Sequence, residues 1–326
     1  MKLIVVIPAY NEEDTITNMV HSIPKKFEGI KEVIVLVVDD GSKDRTVELA
    51  RQAGAVVVTH NHNRGVGGAF KTGLTNALDM GADIMVNIDA DGQFSPKDIY
   101  LLIAPILANQ ADFVSGDRFT DENGILQKPR DMSSIKFWGN QRMSQLINLL
   151  SDNNFNDVSC GFRAYSKEAL LRLNLTGKFT YTQETFLDLA DKEVEIKSIP
   201  VKVKYFPERK SRMAGNILNY MIQTIKIILR AYRDYNPIRF FGWLSFVPFM
   251  AGLGCGLFMA IHYIRTSSFT PYKVVGFVGI YLVSLAILLW IVGLLADMFV
   301  RIRLIQEQLL YYEKKRRYDK LHNHRN

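Results

Sequence analysis

Over the first 120 residues, short apolar runs alternate with polar stretches of helical periodicity. Residues 3–7, 33–38, 55–59, 84–88 and 113–115 are apolar and mostly β-branched. Runs of that length and composition predict strands. Helices are expected after Glu12, Asp44, Gly68 and Pro96. The alternation predicts βαβ units, hence an α/β domain with a Rossmann-like, mainly parallel sheet. Ligands of such sheets bind beyond the carboxyl ends of the strands.

The pattern changes toward the C-terminus. Residues 240–264 and 274–300 are each apolar for longer than the roughly 20 residues that cross a bilayer. The loop between them is short and carries Arg265 and Lys273. Before them, Ile217, Leu218, Met221, Ile222, Ile225, Ile228, Leu229 and Tyr232 recur at helical spacing, with Lys226, Arg230 and Arg233 opposite. A basic amphipathic helix beside a span fits an in-plane interfacial helix, and also a helix packed on the catalytic domain. After the second span, Ile302, Ile305, Leu309 and Tyr312 form a stripe. It suits pairing into a homo-oligomer and equally a plain solvated extension. The expected division is a catalytic domain over 1–212, interfacial amphipathic helices over 213–238, a transmembrane hairpin over 239–300 and a basic tail over 301–326.

Charge sharpens this picture. The formal net charge is +7, yet residues 1–204 sum to −4, while 205–240 and 301–326 carry +5 each. A nucleic-acid binder would carry its basic stripe on the folded domain. Here the basic groups flank the apolar runs, as in membrane proteins. By the positive-inside rule, the catalytic domain and both termini are expected in the cytoplasm. The N-terminal apolar run is too short for an export signal. The two cysteines lie in unlike surroundings, so no disulfide framework is expected.

The chemistry lies at the predicted strand ends. The first strand runs into Pro8-Ala9-Tyr10-Asn11-Glu12, the second into Asp39-Asp40-Gly41-Ser42, the fourth into Asp89-Ala90-Asp91-Gly92-Gln93. Asp89, Asp91 and Gln93 alternate just past a buried strand and can offer hard oxygen ligands to one Mg²⁺ or Mn²⁺. Such a cation would neutralise a diphosphate and assist its departure. Gly65-Val66-Gly67-Gly68 lacks the lysine of a phosphate loop and the spacing of a dinucleotide fingerprint. It fits a helix start beside a nucleotide, or a structural turn. His60 and His62 follow the third strand and are expected to be solvated loop residues.

Together these strings resemble the family 2 inverting glycosyltransferases of GT-A fold. Ser159-Cys160-Gly161-Phe162-Arg163 and Ser211-Arg212 extend the match. With two C-terminal spans, the layout is similar to the polyprenyl-phosphate branch: dolichyl-phosphate mannose synthases and undecaprenyl-phosphate glucosyltransferases. The resemblance implies that Pro8, Ala9, Tyr10 and Glu12 line a nucleoside pocket, that Asp39 and Asp40 help hold base and ribose, and that Asp89, Ala90, Asp91 and Gln93 surround metal and diphosphate. It implies that Arg118 faces an acceptor phosphate, and that Arg209, Lys210 and Arg212 come from a loop that closes on donor and lipid phosphates. Arg130, Ser133 and Lys136 are candidates for the same acceptor. Arg163 belongs to the same basic set. Glu184 sits where relatives with hydroxyl acceptors carry a base. The stretch Glu208-Arg209-Lys210-Ser211-Arg212 departs from the usual loop in lacking its glycine and ending in Arg. The expected reaction is transfer of a hexose from a nucleotide sugar to a polyprenyl phosphate with inversion. A UDP-sugar is favoured and GDP-mannose stays open. The alternative is a membrane glycosyltransferase acting on a sugar hydroxyl.

Overall fold

The computed structural model describes residues 1–121, 123–175, 181–192, 194–204, 229–230 and 232–322. Contacts divide the chain into two units, Met1–Arg212 with Glu307–Asn326, and Met213–Gln306.

The first unit is built on a seven-stranded sheet. Its strands are β1 (Lys2–Ala9), β2 (Glu32–Asp39), β3 (Val56–Thr59), β4 (Ile84–Asn87), β5 (Phe113–Asp117), β6 (Arg163–Ser166) and β7 (Ile196–Pro200). They lie in the order β3-β2-β1-β4-β6-β5-β7. All pairs are parallel except those made by β6, which runs antiparallel to both β4 and β5. Helices α1 (Ile16–Ser22), α2 (Thr46–Gln52), α3 (Val66–Asp79) and α4 (Ile99–Leu107) follow the first four strands, the last after one 3₁₀ turn. The five expected strands and four expected helices are all present. Leu3 to Ile7 are fully buried, as are Ile84 to Val86. Each such side chain contributes about 1.5–3 kcal/mol by leaving water.

Two strands are not apparent from periodicity. β6 reads Arg-Ala-Tyr-Ser, and β7 alternates only as far as Pro200. Because β6 is antiparallel, its beginning lies beside the end of β4, with Arg163 opposite Asn87. The segment leading into β6 is thereby delivered to the same sheet edge as the β1, β2 and β4 loops. Helices α5 (Ser134–Ser151), α6 (Lys167–Arg172) and α7 (Tyr181–Asp191) complete this unit's N-terminal part.

The second unit contains α8 (Pro237–Thr266) and most of α9 (Lys273–His322). Both are long and apolar enough to cross a membrane, and only 17% of the most apolar window of each is buried. That exposure separates them from the core helices of a soluble protein. The two pack through small residues: a Cβ on Gly252 would lie 2.9 Å from the Gly279 carbonyl oxygen, and one on Gly279 would lie 2.9 Å from Cys255 Cβ. Small residues allow such close helix contact where water supplies no driving force.

Helix α9 continues unbroken past the apolar stretch, and its last turns belong to the first unit. Glu307 pairs with Lys192 at 2.8 Å, and Tyr311 donates to Glu168 at 3.1 Å. Lys314 donates to the Leu173 carbonyl and to Asn174, both at 2.8 Å. Arg317 pairs with Asp79, and the ring of Tyr318 lies under Lys167. Burial pushes the Lys314 ammonium down to about 8. The tail is therefore packed on its own chain through one face. The stripe Ile302, Ile305, Leu309 and Tyr312 lies on another face and stays exposed. Most of the expected interfacial segment lies outside the described residues.

Candidate active site

The strand order places β1 beside β4, with β2 and β3 on one side and the remaining strands on the other. Such a switch point opens a crevice beyond the strand ends. A cavity of about 260 Å³ lies there. Pro8, Ala9, Tyr10 and Glu12 line it from β1, Asp40 from β2, Asp89, Ala90 and Asp91 from β4, and Asn63, Gly65, Val66 and Ala69 from the entry to α3.

The loops are laced to one another. Asn11 donates its backbone N–H to Ser42 Oγ and accepts from the Lys43 N–H, both at 2.9 Å. Glu12 N–H donates to Thr46 Oγ1 at 2.8 Å. Asp40 accepts from the backbone N–H groups of Arg64 and Gly65, each at 2.8 Å. The stretch from Gly65 to Gly68 is thus a helix start held against the cavity. His60 sits 2.7 Å from Asp40 through Nδ1 and 2.8 Å from Thr72 through Nε2. It is buried, which corrects the expectation of a solvated loop histidine. A carboxylate, a hydroxyl and a neighbouring helix enclose it, and no local pattern announces that. Asp39 is fully buried and accepts from the Ser42 N–H rather than lining the cavity.

Asp89 is the most perturbed acid here. Burial, then the charge of Asp91, pushes it up to about 6, against the pull of Arg118 and Arg163. Crowded carboxylates of this kind are short of positive charge, and their hard oxygens fit Mg²⁺ or Mn²⁺. Among the described residues no group of three or more His, Cys, Asp or Glu gathers. The protein would then supply two carboxylates, leaving the other positions to water and ligand phosphates. Gln93 does not line the cavity; its backbone N–H donates to Asp91 Oδ1 at 3.0 Å and so orients that carboxylate.

Gly161 is the floor under Asp89. A Cβ there would stand 2.7 Å from Asp89 Oδ2. Asn87 Nδ2 donates to the Gly161 carbonyl at 2.9 Å and holds the segment in place. The atom displaced is the end of a side chain, so Gly161→Ala should fold but move the carboxylate. Displacements near 1 Å at a reacting centre cost on the order of a hundredfold. The expected outcome is a Mn²⁺ half-saturation raised at least about tenfold, with an unchanged melting temperature. Wild-type metal dependence of the variant would disprove this role for Gly161.

The basic candidates among the described residues separate into three groups. Arg163 is fully buried and donates to the carbonyls of Val158, Cys160 and Thr182. It braces the β6 entry, which corrects its inclusion among phosphate-facing residues. Arg118 is bound through Nε at 2.7 Å and Nη2 at 2.9 Å to Asp157, and through Nη2 to Ser159. Burial opposes ionisation of Asp157, but the charge and hydrogen bonds of Arg118 win and hold its carboxyl below the usual carboxylate range. Arg118 also lines a second cavity of about 670 Å³, together with Thr120, Arg130 and Lys202. Arg130 and Lys136 are exposed, and Ser133 caps α5 by accepting from the Lys136 N–H. Arg209, Lys210 and Arg212 lie outside the described residues. Glu184 is half-buried in the first turn of α7, one turn beyond the buried Tyr181.

The model of the family described as Glycosyl transferase family 2 matches residues 4–173. A UDP-N-acetylglucosamine–dolichyl-phosphate N-acetylglucosaminyltransferase from Methanococcus voltae is 33% identical over 67% of this chain and 91% of its own. An undecaprenyl-phosphate mannosyltransferase from Micrococcus luteus is 27% identical over 69% of this chain and 93% of its own. Among solved structures, glucosyl-3-phosphoglycerate synthase from Mycobacterium tuberculosis, in complex with Mn²⁺, UDP-glucose and phosphoglyceric acid, superposes with a TM-score of 0.55. That match has 22% identity and covers 70% of this chain and 79% of the other.

Proposed function

The chain belongs to glycosyl transferase family 2, and from that membership we propose that it transfers a hexose from a nucleotide sugar to a polyprenyl phosphate, with inversion, at the cytoplasmic face of a membrane. The observation that carries the reading is the pair of cavities at one sheet edge. One is acidic around Asp89 and Asp91, and the other is lined by Arg118, Arg130 and Lys202 against Asp121 and Asp131, so basic side chains outnumber acidic ones there. An anionic donor that needs a cation suits the first, and a second anion suits the other. The relatives named for dolichyl and undecaprenyl phosphate support the acceptor. The two membrane-length helices support an integral membrane protein, and the basic flanks support cytoplasmic termini.

The donor's nucleoside would sit among Pro8, Ala9, Tyr10, Glu12 and Asp40. Asp89 and Asp91 would hold Mg²⁺ or Mn²⁺, which as a Lewis acid stabilises the leaving diphosphate. A lipid phosphate oxygen attacks the anomeric carbon from the face opposite that diphosphate. The new bond joins that carbon to the phosphate oxygen as the bond to the diphosphate oxygen breaks, so an α-linked donor gives a β-linked product. No proton need be removed, because a phosphomonoester with a second pKa of about 6 is already largely a dianion. Arg118 and Arg130 supply the electrostatic help two anions require. UDP-sugars are the favoured donors.

The test is a screen of radiolabelled sugar nucleotides with purified protein, polyprenyl phosphate and Mn²⁺ or Mg²⁺, reading labelled lipid. Label in lipid, lost with EDTA, is the expected result. In the same assay Glu184→Gln should stay within about tenfold of wild type, since an anionic nucleophile needs no base. Transfer only to a sugar hydroxyl, with an inactive Glu184→Gln, would replace this reading with hydroxyl chemistry.

A further inference from the structure

Exposed apolar side chains of the catalytic unit concentrate in one stretch of its sequence. Among the described residues of 1–204, nine large apolar side chains are exposed, and five of them fall between 125 and 149. They are Ile125, Leu126, Ile135, Trp138 and Leu149. The last three lie on α5. At about 100° per residue, Ile135, Trp138, Arg142 and Leu149 share an arc of roughly 60°. The opposite face, with Met143, Ser144 and Ile147, is buried. So α5 is amphipathic twice over: one apolar face completes the core, and a second faces outward.

The charged residue on this outward arc is Arg142, and α5 carries no acidic residue. Arg142 lies 5.3 Å above the Trp138 ring. An aromatic ring with a cation beside it, flanked by aliphatic side chains, matches the boundary between lipid headgroups and acyl chains. Long basic side chains reach from that depth to the phosphates. A second copy of the chain suits the face poorly, because a two-fold contact sets the same patch against itself and would bury two Arg142 guanidiniums with no acidic residue of α5 to pair with them.

We propose that the outer face of α5 rests on the surface of an anionic lipid bilayer. The chain already carries two membrane-length helices, so a bilayer is available to the catalytic unit. The position has a consequence for the acceptor side. Arg130 lines the larger cavity, and α5 begins only four residues later at Ser134. Lipid seated on α5 would bring phosphate headgroups to the approach of that cavity. The docking itself does not depend on the acceptor assignment.

The test uses the full chain in liposomes of phosphatidylcholine and phosphatidylglycerol. Cys255 is replaced by serine, and the buried Cys160 is left in place. Bimane is attached at Trp138→Cys or Leu149→Cys, with Val56→Cys, exposed on β3, as the control. Doxyl-labelled lipid should quench both α5 probes at least about twofold and leave the control unchanged, and omitting phosphatidylglycerol should weaken the effect. Probes on α5 that respond like the control would overturn the proposal. Probes shielded from lipid but showing energy transfer between copies would also overturn it, in favour of a dimer face. Position is read whether or not sugar is transferred, so this result is separate from the fate of the proposed reaction.

Discussion

Asp91→Ala is expected to lower kcat/KM for sugar transfer by about a hundredfold to a thousandfold while barely changing the melting temperature. Asp91 is half-buried at the mouth of the smaller cavity, beyond the end of β4. It accepts a hydrogen bond from the Gln93 N–H two residues on, so removing it disturbs the turn more than the core. The carboxylate's charge is another matter. Together with burial it pushes Asp89 up to about 6, and that crowding is what a divalent cation would relieve. Removing one preorganised group that stabilises developing charge typically costs two to three decades in rate. The check is transfer measured against Mn²⁺ concentration, beside a thermal melt. Near-normal activity in the variant, or no effect of EDTA on the wild type, would remove the metal from the mechanism.

The second large effect falls on stability. Arg118→Ala should destabilise the catalytic unit by about 3–5 kcal/mol, because it leaves the buried Asp157 carboxylate without its counter-charge. For a domain of this size that is about 6–20 °C in melting temperature. The side-chain exposures of 13% for Arg118 and 0% for Asp157 set this pair apart from surface ion pairs, which contribute little. The pH dependence has a definite sign. With its carboxyl held below the ordinary range, Asp157 contributes stability that is present at neutral pH and lost as the pH falls through its folded value. In Arg118→Ala the penalty should therefore shrink as the pH approaches 4, where protonation removes the unpaired charge. A double variant, Arg118→Met with Asp157→Leu, should recover much of the melting temperature. If it also recovers transfer to polyprenyl phosphate, Arg118 is a scaffold residue and the acceptor phosphate is held by others such as Arg130. If it stays at least a hundredfold down, Arg118 acts on substrate as well. A single variant that melts like the wild type would show that the ion pair is not needed for the fold.

These two residues mark how far the sequence could be read. Asp91 was legible because everything that makes it notable is local: an apolar strand, an alternating acid pair and a glycine turn. Arg118 was legible only in part. The string around it pointed to phosphate, whereas the structure engages it with Asp157, 39 residues away. Arg163 reads the same way in sequence, as a basic residue near a motif, yet it is spent on three backbone carbonyls inside the protein. A basic side chain announces its charge in sequence but not its partner.

By itself the sequence determined the five strands from β1 to β5, the helices between them, two membrane-length helices and the polar strand ends that line the crevice. These follow from periodicity and from the rule that parallel strands present their carboxyl ends together. Only the tertiary structure decided the rest. The antiparallel insertion of β6 brings Gly161 under Asp89 and Asp157 to Arg118, and a polar four-residue strand carries no periodic signal of where it will pair. The burial of His60 depends on Asp40 and Thr72 meeting it from separate elements. The last turns of α9 look like a solvated basic tail, but Glu307, Tyr311 and Lys314 find partners in α6 and in the residues just after α6 and α7. Local sequence fixes which face of an element is apolar. Which distant side chain satisfies a charge is fixed only when the chain has closed on itself.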